Sequence, residues 1–263
     1  NIISWIRDNI WRIELNTNGT LVTADSWDSV ASNIDEIKVS LDTLSPEHFM
    51  AITKLKWWNL KNVVNFVEKA HESEVPFRLN CVLMKQNEEA IMELIRYAKS
   101  KSIQLNLLDF YWTEERSDTW KSQFLPVEDF CETLEEEFGE PEVFDRFGCN
   151  FILFKNKDIA IVRTKSSFSW TMRSEKCSNC SEFCQEWLYC LRCSTQWWVT
   201  SCPSNSEDKW VLIKPQYSVA QVAEIVGWLV EDLCTAKHSP NTFFELLERR
   251  WIQPDVAIDT IKK

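Results

Sequence analysis

Three features are missing from the sequence, and each absence excludes a class of protein. No run approaches the roughly 18 uninterrupted apolar residues of a transmembrane helix, so no membrane-spanning segment is expected. The first six residues do not form a secretory signal peptide. Basic residues number 29 against 40 acidic ones, and the net charge of −11 disfavours non-specific binding to nucleic acid or to acidic membranes. We therefore expect a cytoplasmic protein that binds neither a membrane nor nucleic acid.

The remaining composition is that of a folded protein. The chain has 263 residues, of which 44% are hydrophobic and 26% are charged. That is enough apolar material to bury the core of one large domain or two smaller ones, and the composition argues against disorder.

The segment 1–112 repeats one structural theme. Short β-like runs alternate with runs whose apolar residues recur at helical spacing, as at 46–71 and 88–100. The β-like runs span 11–15, 36–41, 77–84 and 103–108. Such alternation indicates parallel strands joined by helical crossovers, and four strands do not close a barrel. The predicted fold is α/β, with a partial (β/α) barrel in residues 1–112.

Three further regions are expected after the barrel. They are a helical linker at 113–146, a cysteine-rich metal-binding region at 147–216, and C-terminal helices at 217–263. Within them the pattern predicts a helix at 126–138, a hairpin of 151–154 with 159–162, and helices at 219–233 and 241–251.

Polar residues follow, end or lie within each predicted barrel strand. They are Thr17-Asn18-Gly19, Ser40 with Asp42, Asn80, and Asp109. Ligands of parallel α/β proteins bind at the carboxyl ends of the strands, which makes this group a candidate site. The alternative is turn chemistry, because Asn-Gly is a common turn and Ser and Asp cap helices.

Cysteines are concentrated late in the chain. Six of the ten lie between 177 and 202. Without a secretory signal, metal binding is the better expectation than disulfides. The pair Cys177 and Cys180, with Cys184 and Cys202, would make a four-sulfur site for zinc or an iron–sulfur cluster, which spacing alone does not separate. A second C-x2-C pair, Cys190 and Cys193, leaves the choice of ligands open.

Four segments together resemble the radical S-adenosylmethionine (SAM) enzymes. They are 15–21 (LNTNGTL), 38–47 (KVSLDTLSPE), 78–89 (RLNCVLMKQNEE) and 103–110 (IQLNLLDF). The most similar family is that of the GTP 3′,8-cyclases of molybdenum cofactor synthesis. The segment 177–203 more loosely resembles the auxiliary-cluster region of related enzymes. The resemblance implies that residues 1–112 are the later strands of a six-stranded barrel.

The resemblance also implies a chemistry and its cofactors. In this family a 4Fe–4S cluster and SAM together generate a 5′-deoxyadenosyl radical, which removes hydrogen from a substrate. By resemblance, Thr17 and Asn18 lie in the barrel lip near SAM. Ser40 would hydrogen-bond the methionyl end of SAM, and Asp42 would hold that turn.

Substrate, auxiliary cluster and partners are implied in the same way. Arg78, Asn80 and Asn106 would face a small-molecule, nucleotide or peptide substrate. Arg78 replaces a lysine of the cyclases, and Asn106 replaces an arginine. An auxiliary 4Fe–4S cluster would be held by Cys177, Cys180, Cys184 and Cys202, and the electron donor would be a flavodoxin or a ferredoxin.

One family motif is absent from the chain. The first cluster of these enzymes rests on a C-x3-C-x2-C loop, and no such spacing occurs in the sequence. We therefore expect a fragment that is inactive by itself. The competing hypothesis is a non-catalytic scaffold with a degenerate barrel and a structural zinc site.

Overall fold

The computed structural model describes residues 7, 11–21, 24–111, 116–146, 149–165, 171–173, 190–202, 210–235 and 237–239. The chain divides into two compact units. The first comprises Asn1–Phe110, Ser122–Phe144 and Phe151–Lys165, and the second comprises Tyr111–Lys121, Asp145–Asn150 and Ser166–Lys263. Within the described residues, no helix has both the length and the apolar character that crossing a membrane requires.

The main sheet has seven strands, five of which are parallel. The strands are β1 (Glu14–Thr17), β2 (Glu36–Ser40), β3 (Phe77–Leu83), β4 (Gln104–Asp109), β5 (Glu142–Arg146), β6 (Cys149–Asn156) and β7 (Ile159–Lys165). Their order is β1-β2-β3-β4-β7-β6-β5. Strands β1 to β4 and β7 pair in parallel, and β6 pairs antiparallel with β7. The hairpin β6–β7 therefore continues the parallel part of the sheet beside β4.

Seven helices are described in the two units. They are α1 (Ala24–Ala31), α2 (Pro46–Thr53), α3 (Trp57–His71), α4 (Glu88–Lys101), α5 (Ser117–Gln123), α6 (Val127–Phe138) and α7 (Val219–Cys234). Helix α2 begins where the Ser45 side chain accepts a hydrogen bond from the His48 N–H, with Pro46 at the first helical position. Helix α4 has acidic residues in its first turn and basic residues in its last, which complements the helix dipole.

Helices α1, α2, α3, α4 and α6 pack on one face of the parallel strands. Alternate strand residues point to that face, and their side chains are buried: Ile37, Val39, Leu79, Leu105 and Leu107. The helices contribute matching apolar residues, among them Val67 of α3 and Leu94 of α4. Each fully buried leucine or valine contributes about 2 kcal/mol of hydrophobic stabilisation. The intervening residues of β2, β3 and β4 point to the opposite face of the sheet and are mostly polar, with Val82 and Leu108 as apolar members.

The second unit contains a smaller sheet. Its strands β9 (Arg192–Cys193), β10 (Trp198–Thr200) and β11 (Val211–Leu212) are ordered β11-β10-β9, and β8 (Thr171–Arg173) pairs separately with β12 (Lys237–Ser239). Helix α7 starts in a capping box, in which Ser218 and Gln221 bond each other's backbone N–H. Ser201 donates to Asp232 of α7 at 2.7 Å, which ties the end of β10 to this helix.

The α/β class with parallel strands and helical crossovers is confirmed. The run 46–71 is helical as predicted but forms two helices, because Lys54 adopts a left-handed conformation (φ 61°) and ends α2. The predicted start of the first strand is wrong. The first strand begins at Glu14 and not at Trp11.

The remaining regional predictions have different outcomes. The helices at 126–138 and 219–233 and the hairpin are confirmed. The hairpin lies in the main sheet, although it was grouped by sequence with the cysteine-rich region 147–216. The bounds of the four regions stay a prediction, and the predicted helix at 241–251 lies outside the described residues.

Candidate active-site face of the sheet

A row of polar side chains crosses the face of the sheet opposite the described helices of the first unit. The strand register places Ser40 beside Asn80, Asn80 beside Asn106, and Asn106 beside Arg163. Residues paired in this way point to the same face, about 4.8 Å apart from strand to strand. We call Ser40, Asn80, Asn106 and Arg163 the polar row. Three of its members were predicted as site residues, and the structure brings them together.

The two asparagines of the polar row bond each other. Asn106 Nδ2 donates to Asn80 Oδ1 at 2.8 Å. Asn106 is only 9% exposed, and its Oδ1 atom has no hydrogen-bond partner among the described residues. An unpaired buried polar atom costs about 1–3 kcal/mol, so this acceptor suits a ligand that donates a hydrogen bond to it.

Ser40 ends β2 and is exposed, so its hydroxyl is accessible from solvent. Thr17 is the last residue of the neighbouring β1, and Asn18 comes next. The side chains of both form hydrogen bonds within the turn that follows. Thr17 Oγ1 accepts from the Gly19 N–H at 3.1 Å, and Asn18 Oδ1 accepts from the Thr20 N–H at 3.2 Å. The predicted role of both residues near SAM stays a prediction, and the structure places them at the same strand end as Ser40.

Asp42 connects the ends of two strands. Its Oδ1 atom accepts from the Val82 N–H at 2.8 Å. Burial raises the pKa of the Asp42 carboxyl above its ordinary value of 3.8, and the hydrogen bond from Val82 only partly opposes this. Because the folded chain then binds this proton more tightly than the unfolded chain, the carboxyl makes folding less favourable as the pH rises from about 3.8 through the raised pKa. The hydrogen bond from Val82 joins the turn after Ser40 to the end of β3. The predicted role of Asp42 in the SAM site stays a prediction.

Asn87 is a second residue that holds this turn, and sequence reasoning did not single it out. Its side chain is fully buried. Nδ2 donates to the carbonyls of Asp42 and Val82, both at 2.9 Å, and Oδ1 accepts from the Met84 N–H at 2.9 Å. Asn87 occupies the N-cap position of α4, yet its side chain makes no capping hydrogen bond to the first turn of the helix. It bonds instead to the strand ends below the helix.

Cys81 lies beside the same network. It is fully buried, and its Sγ is 3.8 Å from the Asp42 carbonyl oxygen. Burial, with a smaller effect of the Asp42 charge, raises the pKa of the Cys81 thiol well above its ordinary value. A buried protonated thiol is a packing residue, because the thiolate is the form that reacts and binds metal.

Arg78 lies on the same face of the sheet, nearer the amino end of β3 than Asn80, and forms an ion pair with Glu36. Its Nε is 3.0 Å from Glu36 Oε1, and Arg12 donates to the other oxygen of Glu36 at 2.5 Å. Glu36 is the first residue of β2 and is only 1% exposed, so its charge needs these cations. Arg78 pairs in register with Lys38, two residues before Ser40. The structure thus gives Arg78 an ion-pairing role towards the start of the strands, and its predicted substrate contact stays a prediction.

The predicted metal site falls mostly outside the described residues. Cys177, Cys180 and Cys184 are not among them, and Cys202 follows β10, where its N–H donates to Thr200 Oγ1 at 2.9 Å. Within the described parts of the chain, no group of three or more metal-ligating side chains occurs. The four-cysteine ligand set therefore stays a prediction.

Part of the chain matches a known family. Residues 2–98 match the Radical SAM superfamily. GTP 3′,8-cyclases are similar over about half of the chain. That of Listeria monocytogenes serovar 1/2a is 28% identical over 135 residues, which are 51% of this chain and 40% of the cyclase. That of Brucella ovis is 29% identical over 137 residues, which are 52% of this chain and 39% of the cyclase.

A third cyclase and a solved structure were also found. The GTP 3′,8-cyclase of Rhizobium etli is 28% identical over 127 residues, which are 48% of this chain and 36% of that protein. A domain of pyruvate-formate lyase-activating enzyme from Bacteroides vulgatus has 13% identity and a TM-score of 0.37, over 45% of this chain and 78% of its own. The chain spans about two-fifths of the length of the curated relatives it matches. The predicted resemblance to the radical SAM superfamily and to GTP 3′,8-cyclases is confirmed by the sequence matches.

Proposed function

We propose that this chain is the SAM- and substrate-facing portion of a radical SAM enzyme, in which SAM is cleaved reductively and the resulting radical removes hydrogen from a substrate. The observation that carries the proposal is the polar row. It lies on the face of a parallel sheet opposite the one on which the described helices pack. Two of its members, Ser40 and Asn80, lie within the 2–98 match, and among the described residues the buried Oδ1 of Asn106 has no partner.

The donors and acceptors of the row are consistent with SAM. Ser40 offers an exposed hydroxyl, which donates to a carboxylate or accepts from an ammonium group, and the methionyl end of SAM carries both. Asn80 and Asn106 are uncharged amides that bond hydroxyl or amino groups. When bound, SAM and its cluster supply the redox chemistry, and the protein supplies binding and orientation.

Each residue of this face then has a distinct task. Ser40 binds the methionyl end of SAM, while Asp42 and Asn87 fix the turn that follows it. The loop of Thr17 and Asn18 forms the neighbouring rim. Asn80 and Asn106 face the substrate, which we propose is a nucleotide, a peptide or another small molecule. A flavodoxin or a ferredoxin would be the electron donor. The C-x3-C-x2-C motif that would hold the first cluster does not occur in this sequence.

Removing the Ser40 hydroxyl is expected to weaken SAM binding. The loss of one hydrogen bond to a charged ligand group should raise the dissociation constant about tenfold in Ser40→Ala. Saturation-transfer NMR with SAM on this chain, which detects millimolar affinities, is the measurement. The matched control is Ser100→Ala, because Ser100 is an exposed serine of α4 whose hydroxyl bonds only within its helix.

Two results would contradict the proposal. One is the absence of any SAM signal with the folded chain. The other is an unchanged dissociation constant in Ser40→Ala, or an equal loss in Ser100→Ala. Circular dichroism of each variant establishes that it is folded, so a loss of binding is not mistaken for unfolding.

We further propose that Cys177, Cys180, Cys184 and Cys202 hold an auxiliary 4Fe–4S cluster, on the basis of their spacing. Anaerobically prepared protein should be brown, with about four iron and four sulfide per chain. Replacing Cys177 and Cys180 by Ser should remove the iron. Cys234→Ser, which changes an exposed cysteine at the end of α7, should not. Colourless protein with one bound zinc would instead support the scaffold hypothesis.

A further inference from the structure

An exposed run of apolar and basic residues lies where helix α2 meets helix α3. Lys54, which ends α2, and the next four residues up to Trp58 are all exposed. Trp57 and Trp58 are 55% and 46% exposed, and Leu55 is 39% exposed. Single exposed apolar residues are common on protein surfaces, but a group of neighbouring ones is typical of an interaction site.

Positive charge lies among these apolar side chains. Nζ of Lys56 is 4.7 Å from the centre of the Trp58 ring, and the Trp57 and Trp58 rings meet edge-on with their centres 6.1 Å apart. Lys61 is exposed one helical turn further along α3, at the spacing that makes it a neighbour of both tryptophans on the helix surface. We call residues 54–58 with Lys61 the Trp–Lys patch.

The sequence around the patch carries no acidic side chain. Residues 48–67 contain three lysines and neither aspartate nor glutamate, whereas the whole chain has a net charge of −11. Lys54 uses one of its three ammonium N–H groups on the Ala51 carbonyl, at 2.7 Å, and remains exposed. An apolar centre with lysines around it is complementary to a surface that has an apolar centre with carboxylates around it.

The patch and the polar row lie on different sides of the sheet. Helices α2 and α3 contribute Phe49, Leu60 and Val63 to the core between them and the strands. The patch belongs to this helical layer, and the polar row lies on the opposite face of the strands. Binding at the patch therefore does not use the residues of the proposed SAM site, and it can be tested independently of the proposed function.

We propose that the Trp–Lys patch binds a protein partner whose contact surface has apolar residues at its centre and Asp or Glu around them. Tryptophan is over-represented among the residues that dominate the binding energy of protein interfaces, and lysines beside it favour an acidic partner. A protein presents its carboxylates only where they meet these lysines. A membrane or a nucleic acid is charged over a wider area, which would also face the acidic remainder of the chain.

The test uses two designed peptide probes that differ only in charge. Both are amphipathic helices with the same leucine face, which is flanked by Glu in one and by Lys in the other. Binding of each labelled peptide to the intact chain is measured by fluorescence anisotropy, and we expect only the Glu peptide to bind. Trp57→Ala and Trp58→Ala should each weaken that binding tenfold or more. Exchanging Lys54, Lys56 and Lys61 together for Glu should reverse the preference, so that the Lys peptide binds instead.

Two control variants change the same residue types elsewhere. Trp11→Ala removes an 87% exposed tryptophan before β1, and Lys157→Glu reverses an exposed charge between β6 and β7. Neither should change peptide binding, and circular dichroism establishes that every variant is folded. The inference is overturned if the Glu peptide does not bind, if the patch variants bind it as tightly as the unaltered chain, or if the controls lose as much. Binding to vesicles of phosphatidylcholine and phosphatidylglycerol that is tighter than peptide binding and lost in Trp57→Ala would also overturn it, by identifying a lipid surface as the occupant.

Discussion

Replacing Asn87 by alanine is expected to lower the free energy of unfolding by about 3 kcal/mol or more. The substitution removes three hydrogen bonds of a fully buried side chain. It leaves the Met84 N–H and the carbonyls of Asp42 and Val82 to find other partners in a site closed to solvent. Each net hydrogen bond contributes about 1 kcal/mol, and each buried group left unpaired costs more. Urea denaturation followed by circular dichroism measures the difference.

Asn62→Ala is the matched control for this prediction. Asn62 is an exposed asparagine within α3, so its replacement should change stability by no more than about 0.5 kcal/mol. An Asn87→Ala variant as stable as Asn62→Ala would mean that the three bonds make no net contribution. Asn87→Asp should also be destabilised, because the carboxylate keeps an acceptor for Met84 but has no N–H for the two carbonyls.

The same replacement also bears on the proposed site. Asn87 bonds the Asp42 carbonyl, and Asp42 bonds β3 directly after the Ser40 strand end. If this network positions Ser40, Asn87→Ala should weaken SAM binding even under conditions where the variant is fully folded. Such a residue acts through its neighbours and has no contact with the cofactor of its own.

Much of the parallel sheet could be predicted, because its signals are local. Apolar and polar residues alternate along a strand, and apolar residues recur every three or four positions along a helix. Each pattern can be recognised from a few neighbouring residues. The rule that ligands bind at the carboxyl ends of parallel strands then selected Ser40 and Asn80. The register confirms that both lie on one face and are adjacent.

What could not be predicted depends on pairings between distant segments. Nothing local in the sequence places Arg163 beside Asn106, since this requires β7 to pair with β4. The same holds for Arg78, whose residue type indicates a phosphate or carboxylate partner without specifying Glu36. Asn87 shows a third limit. Its position before a helix suggests a cap, and only the tertiary fold shows that its side chain bonds the strand ends instead.

Gly19 lies in the loop after β1. After Asn87→Ala, we expect Gly19→Ala to cause the next largest loss of stability. Its φ of 68° is in the left-handed region, where a Cβ costs about 1 kcal/mol or more. A Cβ there would also lie 2.7 Å from Cδ1 of Phe66. Phe66 is 4% exposed and packs edge-on against Trp27 at 5.3 Å, so its ring has little room to move. We expect Gly19→Ala to lower the free energy of unfolding by about 2–4 kcal/mol.

A double-mutant cycle separates the backbone cost from the contact. Phe66→Leu alone should cost about 1 kcal/mol, and it opens space at the ring edge. In the double variant, Phe66→Leu should relieve the clash between the added Cβ and the ring. The double variant should therefore be more stable, by about 1 kcal/mol or more, than the sum of the two single changes predicts, and this difference is the coupling energy. Gly139→Ala is the reference, because Gly139 also has a positive φ, 81°, but among the described residues other than its chain neighbours no atom lies within 4 Å of its added Cβ. Its coupling to Phe66→Leu should be close to zero. Equal coupling for the two glycines would show that the loop after β1 does not depend on close approach to α3, and that Gly19 serves only the turn.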